Sequence, residues 1–467
     1  MLTLSDVQKF YDYKEQHKQV SGKVYIGCEL VADLKVNINI LQDICKEIML
    51  IHKQLCAQVN ENHQVYLLDV NKLNFDDFVF VSDINTDIND YSVVKYLLED
   101  PPNNGKINTP LWRLIYFEKM NYLVFNFGHC FYDGISGVNV LKLILDRLNN
   151  KPVVNIDYDE FKDHVSDQSL LEYGIVDLYP RPTYGLYDKF QIFKNKLFEG
   201  IVEPSMFRLI NSFPRLLEFN YFKSFNRLYD PHVSPARGKY IDSYHCINIS
   251  FMSTKKLIKI SKLLNTTLNT LLLTLLSISS PKVNKHYANN SKFNIPINMR
   301  PYLFKDDASE LGSSLIALAI SSTQITTPLI NIDNILDNEH ININELQAIV
   351  DELDPLIKKS INESITMENY SIASFYKNDL DKLLTQSPYI DFELSNLGLF
   401  KHPLIKDVIF NQGLEPMNYM NISAIGGING TNINFMWHHS INDFSKQRFV
   451  MFEKLITILC KQDIDNI

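Results

Sequence analysis

Six consecutive residues, His129-Cys130-Phe131-Tyr132-Asp133-Gly134, set an imidazole and a carboxylate four positions apart at the end of a strand-like run. A free imidazole titrates near about pH 6.5, so His129 can take a proton from a hydroxyl or an amine and pass it to a leaving thiolate. The chain then turns through Asp133-Gly134 into a helix, and Gly134 supplies backbone freedom where a side chain would obstruct the turn. On chemistry alone Asp133 has two readings. It orients the imidazole directly, as a dyad, or it is a buried structural anion, which requires a cationic partner. HxxxDG is a short pattern, and its placement between an aromatic strand and an amphipathic helix is what gives it weight.

The elements that must position this pair are legible around it. Leu111–Phe117 and Tyr122–Phe127 read as strands joined by the tight Glu118-Lys119-Met120-Asn121 turn. In the second strand Leu123, Phe125, Phe127 and His129 share one face, and Tyr122, Val124 and Asn126 the other. A helix follows from about Ser136 to Leu148, with Ser136 as its N-cap. Upstream lie a polar helix from Ser5 to about Gln19 and a strand near Lys23–Val31. An amphipathic helix comes next, its apolar positions from Ile40 to Leu55 stepping by three and four.

Between Asp167 and Arg237 the texture changes. Pro180, Pro182, Pro204, Pro214, Pro231 and Pro235 punctuate an aromatic-rich stretch, read as a long crossover with helical pieces at Tyr187–Phe198 and Ser205–Phe225. Beyond it the pattern predicts a strand at Tyr244–Phe251 and helices at Ser253–Leu264 and Asn269–Ser277. Strands follow at Phe293–Ile297, Ser314–Ser321, Asp391–Asn396 and Thr431–Trp437, then a closing helix at Phe444–Cys460, with Ile330–Ile343 as an exposed loop. Helix and strand alternate without a strict parallel rhythm, which predicts two mixed-sheet α/β layers rather than a doubly wound fold. The expected division is an N-terminal subdomain at 1–166, a crossover at 167–239 and a C-terminal subdomain at 240–467.

Composition narrows the function classes. With 467 residues, 45% apolar and 21% charged, the chain is an ordinary globular one of two or three domains. A net charge of −9 argues against nucleic acid as a partner, since phosphate neutralisation needs a basic face. Cys28, Cys45, Cys56, Cys130, Cys246 and Cys460 are scattered without a CxxC pair, and Asp6, Lys9, Asp12 and Lys14 interrupt any apolar start. Both features predict reduced thiols in a cytosol-facing protein. No apolar run approaches the roughly 18–20 residues that span a bilayer.

Residues 189–227 carry seven basic and three acidic side chains among phenylalanines. A solvated helical hairpin is the plain reading of this stretch; a patch resting on an anionic membrane, of endoplasmic reticulum or lipid droplet, is the sharper one. His438 and His439, adjacent on a strand, face opposite sides and make no metal pair. His245 and Cys246 read as core. Gly426-Gly427-Ile428-Asn429-Gly430 lacks a phosphate-loop lysine and reads as a hairpin turn, and the absence of GxSxG weakens a serine-hydrolase reading.

Several further segments stand in a set order with His129–Gly134: Pro110-Leu111-Trp112-Arg113-Leu114-Ile115 before it, then Ile295-Pro296-Ile297-Asn298-Met299-Arg300-Pro301-Tyr302-Leu303, Leu311-Gly312-Ser313-Ser314 and Leu394-Ser395-Asn396-Leu397-Gly398. Together they resemble the fungal alcohol O-acetyltransferases, part of the HxxxDG acyltransferase superfamily with chloramphenicol acetyltransferase, the plant BAHD enzymes and peptide-synthetase condensation domains. The resemblance covers much of residues 110–400. It implies two chloramphenicol-acetyltransferase-like α/β subdomains with the active site in a tunnel between them. His129 would be the general base, Asp133 structural and paired with Arg300, and Gly134 the residue that keeps the CoA side open. Ser395 or Asn396 would lie near the thioester and help its oxyanion.

The implied reaction is direct transfer from acetyl-CoA to an alcohol, with no metal, no covalent intermediate and a monomeric enzyme. The BAHD segment DFGWG is absent, and the chain is shorter than the better-known alcohol acetyltransferases. A long-chain sphingoid-like amine is therefore the alternative acceptor, and a non-catalytic lipid-binding member of the fold the alternative class.

Overall fold

The computed structural model describes residues 2–4, 6–16, 22–32, 34, 36–99, 108–153, 243–279, 290–303, 314–328, 335–337, 340–366, 390–415, 417–437 and 442–463. The expected crossover at 167–239, with the basic stretch 189–227, and His438-His439 lie outside these residues. The first half runs β1 (Leu2–Thr3), α1 (Asp6–Gln16), β2 (Lys23–Leu30), α2 (Ile38–Ile51), β3 (Ala57–Val59), β4 (Gln64–Leu67), β5 (Val79–Ser82), α3 (Tyr91–Glu99), β6 (Trp112–Phe117), β7 (Tyr122–Gly128) and α4 (Gly134–Leu148). The second runs β8 (Ser243–Ser250), α5 (Phe251–Leu263), α6 (Leu268–Ile278), β9 (Asn290–Asn298), the single turn α7 (Arg300–Leu303) and β10 (Ile320–Pro328). It continues through β11 (Leu336–Asp337), β12 (His340–Ile341), α8 (Ile343–Thr366), β13 (Phe392–Leu399), β14 (Ile405–Gln412), β15 (Met420–Gly426), β16 (Gly430–Trp437) and α9 (Asn442–Lys461).

Two mixed sheets result, as the alternation predicts. One has the order β14-β2-β7-β6-β5, with only β5 and β6 parallel; the other has the order β10-β9-β13-β15-β16-β8, parallel where β13 meets β9 and β15. Strand β14 follows the expected crossover in sequence yet pairs with β2 in the first sheet, so sheet membership does not track chain order.

Period-two alternation sorts each strand's faces. Leu123, Phe125 and Phe127 of β7 pack under α2 and α4 with Leu41, Ile44, Leu141 and Ile144, while Val124 turns to Val93, Val94 and Leu97 of α3. In the second sheet Phe392 and Leu394 of β13, Ile422 of β15 and Phe435 and Trp437 of β16 pack on the leucines of α6 and on Phe452 and Leu455 of α9. Many of the alternate residues, which face the first sheet, are polar and buried, namely Asn294, Glu393, Asn421, Asn432 and Asn434, while Ile425 and Met436 join the apolar clusters of the first half. Two of them hold the sheets together, Asn432 and Asn434 donating their Nδ2 hydrogens to the Val408 and Phe410 carbonyls of β14 at 2.5 and 2.8 Å.

Several elements differ from the sequence pattern, among them β5, α3, β14 and β15, which it does not predict. The strand expected at Ser314–Ser321 is shifted to Ile320–Pro328, because the backbone groups of 315–319 bond side chains instead of a sheet ladder. Helix α8 has no counterpart among the expected elements; Pro355 sits inside it and reads as a break. The expected loop Ile330–Ile343 contains the short β11–β12 hairpin.

The glycine-rich segment is a hairpin turn between β15 and β16, closed by Gly427 N donating to Gly430 O at 2.7 Å. Gly430 has φ +137°, and a Cβ there would lie 1.9 Å from the Ile249 carbonyl of β8. Gly430→Ala is expected to cost more than about 1 kcal/mol in urea unfolding. An unchanged midpoint would show that the turn yields.

Candidate active site

Asp133 is the pivot on which the site is assembled. It caps α4, its Oδ1 accepting the Ser136 amide at 2.8 Å; Ser136, expected as the cap, lies at the third helical position. Arg300, at the start of α7, grips the same carboxylate with Nη1 on Oδ2 at 2.8 Å and Nη2 on Oδ1 at 3.0 Å. Ala319 N adds a bond to Oδ2 at 2.9 Å. Arg300 is itself fully engaged, donating also to the carbonyls of Leu315 and Ala317 and to Ser136 Oγ. Ser136 Oγ in turn donates to Ala317 O at 2.6 Å, which binds α4 to the segment 315–319 of the second half. Asp133 is 3% and Arg300 1% exposed, so both charges are desolvated and must pay each other's desolvation through these bonds. Burial alone would raise the carboxyl, but the Arg300 charge and the bonds from Arg300, Ser136 and Ala319 outweigh it and hold Asp133 below the usual carboxylate range.

His129 stands one step beyond β7, its amide donating to Gly22 O at 3.1 Å. Tyr11 of α1 stacks on the imidazole, centroids 4.2 Å apart and planes 10° apart, which fixes the ring's tilt. Nδ1 is sealed from solvent, and the residue as a whole keeps 9% of its surface. Burial, reinforced by Lys14, pushes the imidazole down to about 4, against the opposing pull of Asp133, the residue's own carbonyl and Glu415. At neutral pH the ring is therefore an unprotonated base.

Asp133 makes no bond to the imidazole; its carboxylate oxygens are taken by Arg300, Ser136 and Ala319. Of the two readings of Asp133, the geometry is that of the structural anion. Gly134 is in close contact: a Cβ there would come within 2.5 Å of Leu397 Cδ2 of β13, so Leu397 fills the space a side chain would need. Ser395 is buried on the face of β13 that carries Leu397, whereas Asn396 is exposed on the other, bonded to Asn269 at 3.3 Å. His245, expected with Cys246 in the core, stacks on Trp437 at the core's margin, and both residues are only half-buried.

No local pattern marks the groups that surround the imidazole. Lys14 pairs with Glu415, and its Nζ lies 5.3 Å from the Tyr11 ring centroid. Glu15 lies over Gly128, where a Cβ would overlap its carboxylate, and burial raises it to about 8 although Lys23, the His129 amide and Lys14 oppose this. Glu393 is buried on the inner face of β13. The available signal was alternation: Asn294 and Glu393 interrupt core strands at the positions that face the other half.

No protein-family profile and no curated protein sequence matches the chain. Solved structures do. A trichothecene 15-O-acetyltransferase from Fusarium sporotrichioides superposes with a TM-score of 0.61 at 11% identity, over 97% of this chain and 94% of that one. The condensation domain of the Monacolin K polyketide synthase gives 0.57 at 9%, over 98% and 96%. Polyketide synthase associated protein 5 from Mycobacterium tuberculosis gives 0.54 at 12%, over 98% and 97%. The chain thus has the two-sheet α/β fold of chloramphenicol-acetyltransferase-like acyltransferases and condensation domains.

Two outcomes follow from the site's electrostatics. Arg300→Met leaves a buried carboxylate unpaired and is expected to cost about 3–5 kcal/mol in urea unfolding. Adding Asp133→Asn should lose less than the two single losses combined; additive losses would mean the pair is uncoupled. Glu15, raised in the folded state, takes up a proton on folding, so its contribution is full below about pH 4.5 and is lost as pH rises through about 8. Glu15→Gln should therefore gain stability relative to the parent chain between about pH 5 and 8, and a pH-independent difference would contradict the burial of this carboxyl.

Proposed function

We propose that the chain is an acyltransferase, and more finely an acetyl-CoA-dependent O-acetyltransferase that esterifies alcohols with His129 as general base. The observation that carries this reading is a neutral imidazole at the end of β7, beside the Arg300–Asp133 lock that joins the two halves. Its fold is also that of a known acetyltransferase.

In this reading Nε2 removes the acceptor hydroxyl proton as the oxygen attacks the thioester carbonyl. The C–O bond forms, a tetrahedral oxyanion develops, and its collapse breaks the C–S bond; the imidazolium returns the proton to the CoA thiolate. Asp133 and Arg300 do no proton transfer and hold the loop after β7 in place. Stacking on Tyr11 keeps the ring aimed, and burial keeps it unprotonated until a substrate hydroxyl arrives. In this reading Ser395, on the inner, polar face of β13, is the candidate donor to the oxyanion, and Asn396, turned outward, has no part in it. Both substrates would enter by a tunnel between the halves. Among the described residues no helix is long and apolar enough to cross a membrane.

Thiol release from acetyl-CoA with isoamyl alcohol tests the assignment. His129→Ala should lower it by about 10²–10⁴-fold while circular dichroism stays native; an unaffected rate would remove the base. Because the free-enzyme imidazole is pushed down to about 4, the acidic limb of kcat/KM should fall well below pH 6.5. A limb at or above about 6.5 would mean a solvated ring.

A further inference from the structure

Beside Tyr11, the balance of donors and acceptors leaves a surplus of oxygens. Glu393 Oε2 accepts from Asn294 Nδ2 at 2.6 Å and from Asn418 Nδ2 at 3.3 Å, and its Oε1 accepts from Gln412 Nε2 at 2.8 Å. Having turned their amino ends to the carboxylate, Asn294 and Asn418 leave both carboxamide oxygens without a donor, although the side chains are only 7% and 2% exposed. Rotating either amide would aim its oxygen at the Glu393 carboxylate, so the orientation is imposed. Glu415 repeats the pattern: Oε1 takes the Lys14 ammonium, and Oε2 is buried with no donor.

Charge is short in the same place. Among the described residues, Glu393 and Glu415 bring two carboxylates to the one ammonium of Lys14. Burial and the neighbouring Glu415 accordingly raise Glu393 to about 7, as expected of a carboxyl without a countercharge of its own. Water can supply donors to the bare oxygens, and a proton on Glu393 can relieve its charge, but neither does both. A group that supplies both is a primary ammonium, with three N–H donors and one charge.

The position is also right for a substrate. Glu393 shares the inner face of β13 with Ser395 and with Leu397, which packs on Gly134, so the strand runs from the start of α4 toward Tyr11 and Lys14. Tyr11 in turn lies on the His129 ring.

We propose that Glu393, Glu415, Asn294 and Asn418 form a subsite for an ammonium group of the acceptor, so that the preferred acceptor is an amino alcohol whose hydroxyl meets His129. The inference rests on the acetyl-transfer reading and adds the acceptor's chemical class. An alcohol of equal length lacking the amine leaves the oxygens and the charge unanswered. Sites built around buried polar groups discriminate strongly against such analogues.

The test compares α,ω-amino alcohols from aminopropanol to aminohexanol with the alkanols of equal length, using the full chain and acetyl-CoA. The expected result is a kcat/KM at least about tenfold higher for the best amino alcohol, with the O-acetyl product identified by mass spectrometry. In E393Q that ratio should fall about tenfold or more. Equal use of both series, an unchanged ratio in E393Q, or an N-acetyl product would overturn the subsite. Should no acceptor turn over, the acetyl-transfer reading fails, and calorimetry still decides the subsite: aminohexanol should bind the wild-type chain at least about tenfold tighter than hexanol. Equal affinities would end the proposal. The wild-type comparisons also decide it if E393Q does not fold.

Discussion

A buried ion pair joins the two halves of this molecule. The Arg300 fork closes on Asp133 across the boundary between the two sheets, and nearly every polar atom around it is committed to the same knot. Two desolvated charges are costly unless each lone pair and each proton has a partner, which explains why residues 315–319 depart from regular strand to supply carbonyls and amides. The pair sits at the N-terminus of α4, where the helix dipole adds to the field that keeps the carboxylate ionised. The loop between β7 and α4 is thereby pinned at Asp133, four residues beyond the imidazole, and at β7 on its other side.

The imidazole itself is governed by the opposite condition. It has lost most of its hydration without gaining a hydrogen-bonded anion, so its neutral form is favoured. The lock gives rigidity and the burial gives basicity, and the two are separable because Asp133 spends its oxygens elsewhere. What makes burial of a polar ring tolerable is the inner face of the second sheet, where asparagines and a glutamate replace the apolar residues that fill the outer face. That surface is a poor core and a good reaction vessel.

Much of this was visible in the sequence. The apolar periodicities of β7 and α4 and the HxxxDG spacing located the imidazole at a strand end. A buried carboxylate's need for a cation left Arg300, named through the resemblance, as a partner that the geometry then supplies. Local signals failed where the third dimension decides. Nothing in the run from Asp6 to Gln16 marks Tyr11 as the ring on His129, because that contact joins segments far apart in the chain. Asn396 adjoins Ser395, and only strand parity, which assigns the two to opposite faces, separates them. The shift of β10 came from backbone groups recruited by Arg300, a demand no propensity records. Helix α8 was hidden by Pro355, whose local meaning its neighbours override.

Strand β14 carries a consequence for how the molecule is made. The first sheet borrows it from a segment more than 370 residues downstream of its partner β2, pairing Ile409 with Gly27 and Gln412 with Val24. During synthesis the earlier strands therefore emerge with one flank bare, and they remain so until β14 itself has left the ribosome. Such long-range closure is slow, and an uncovered strand edge invites pairing with another nascent chain. The fold thus commits its maker to a late-finishing assembly, in which holding the early half apart from its neighbours matters as much as its final stability.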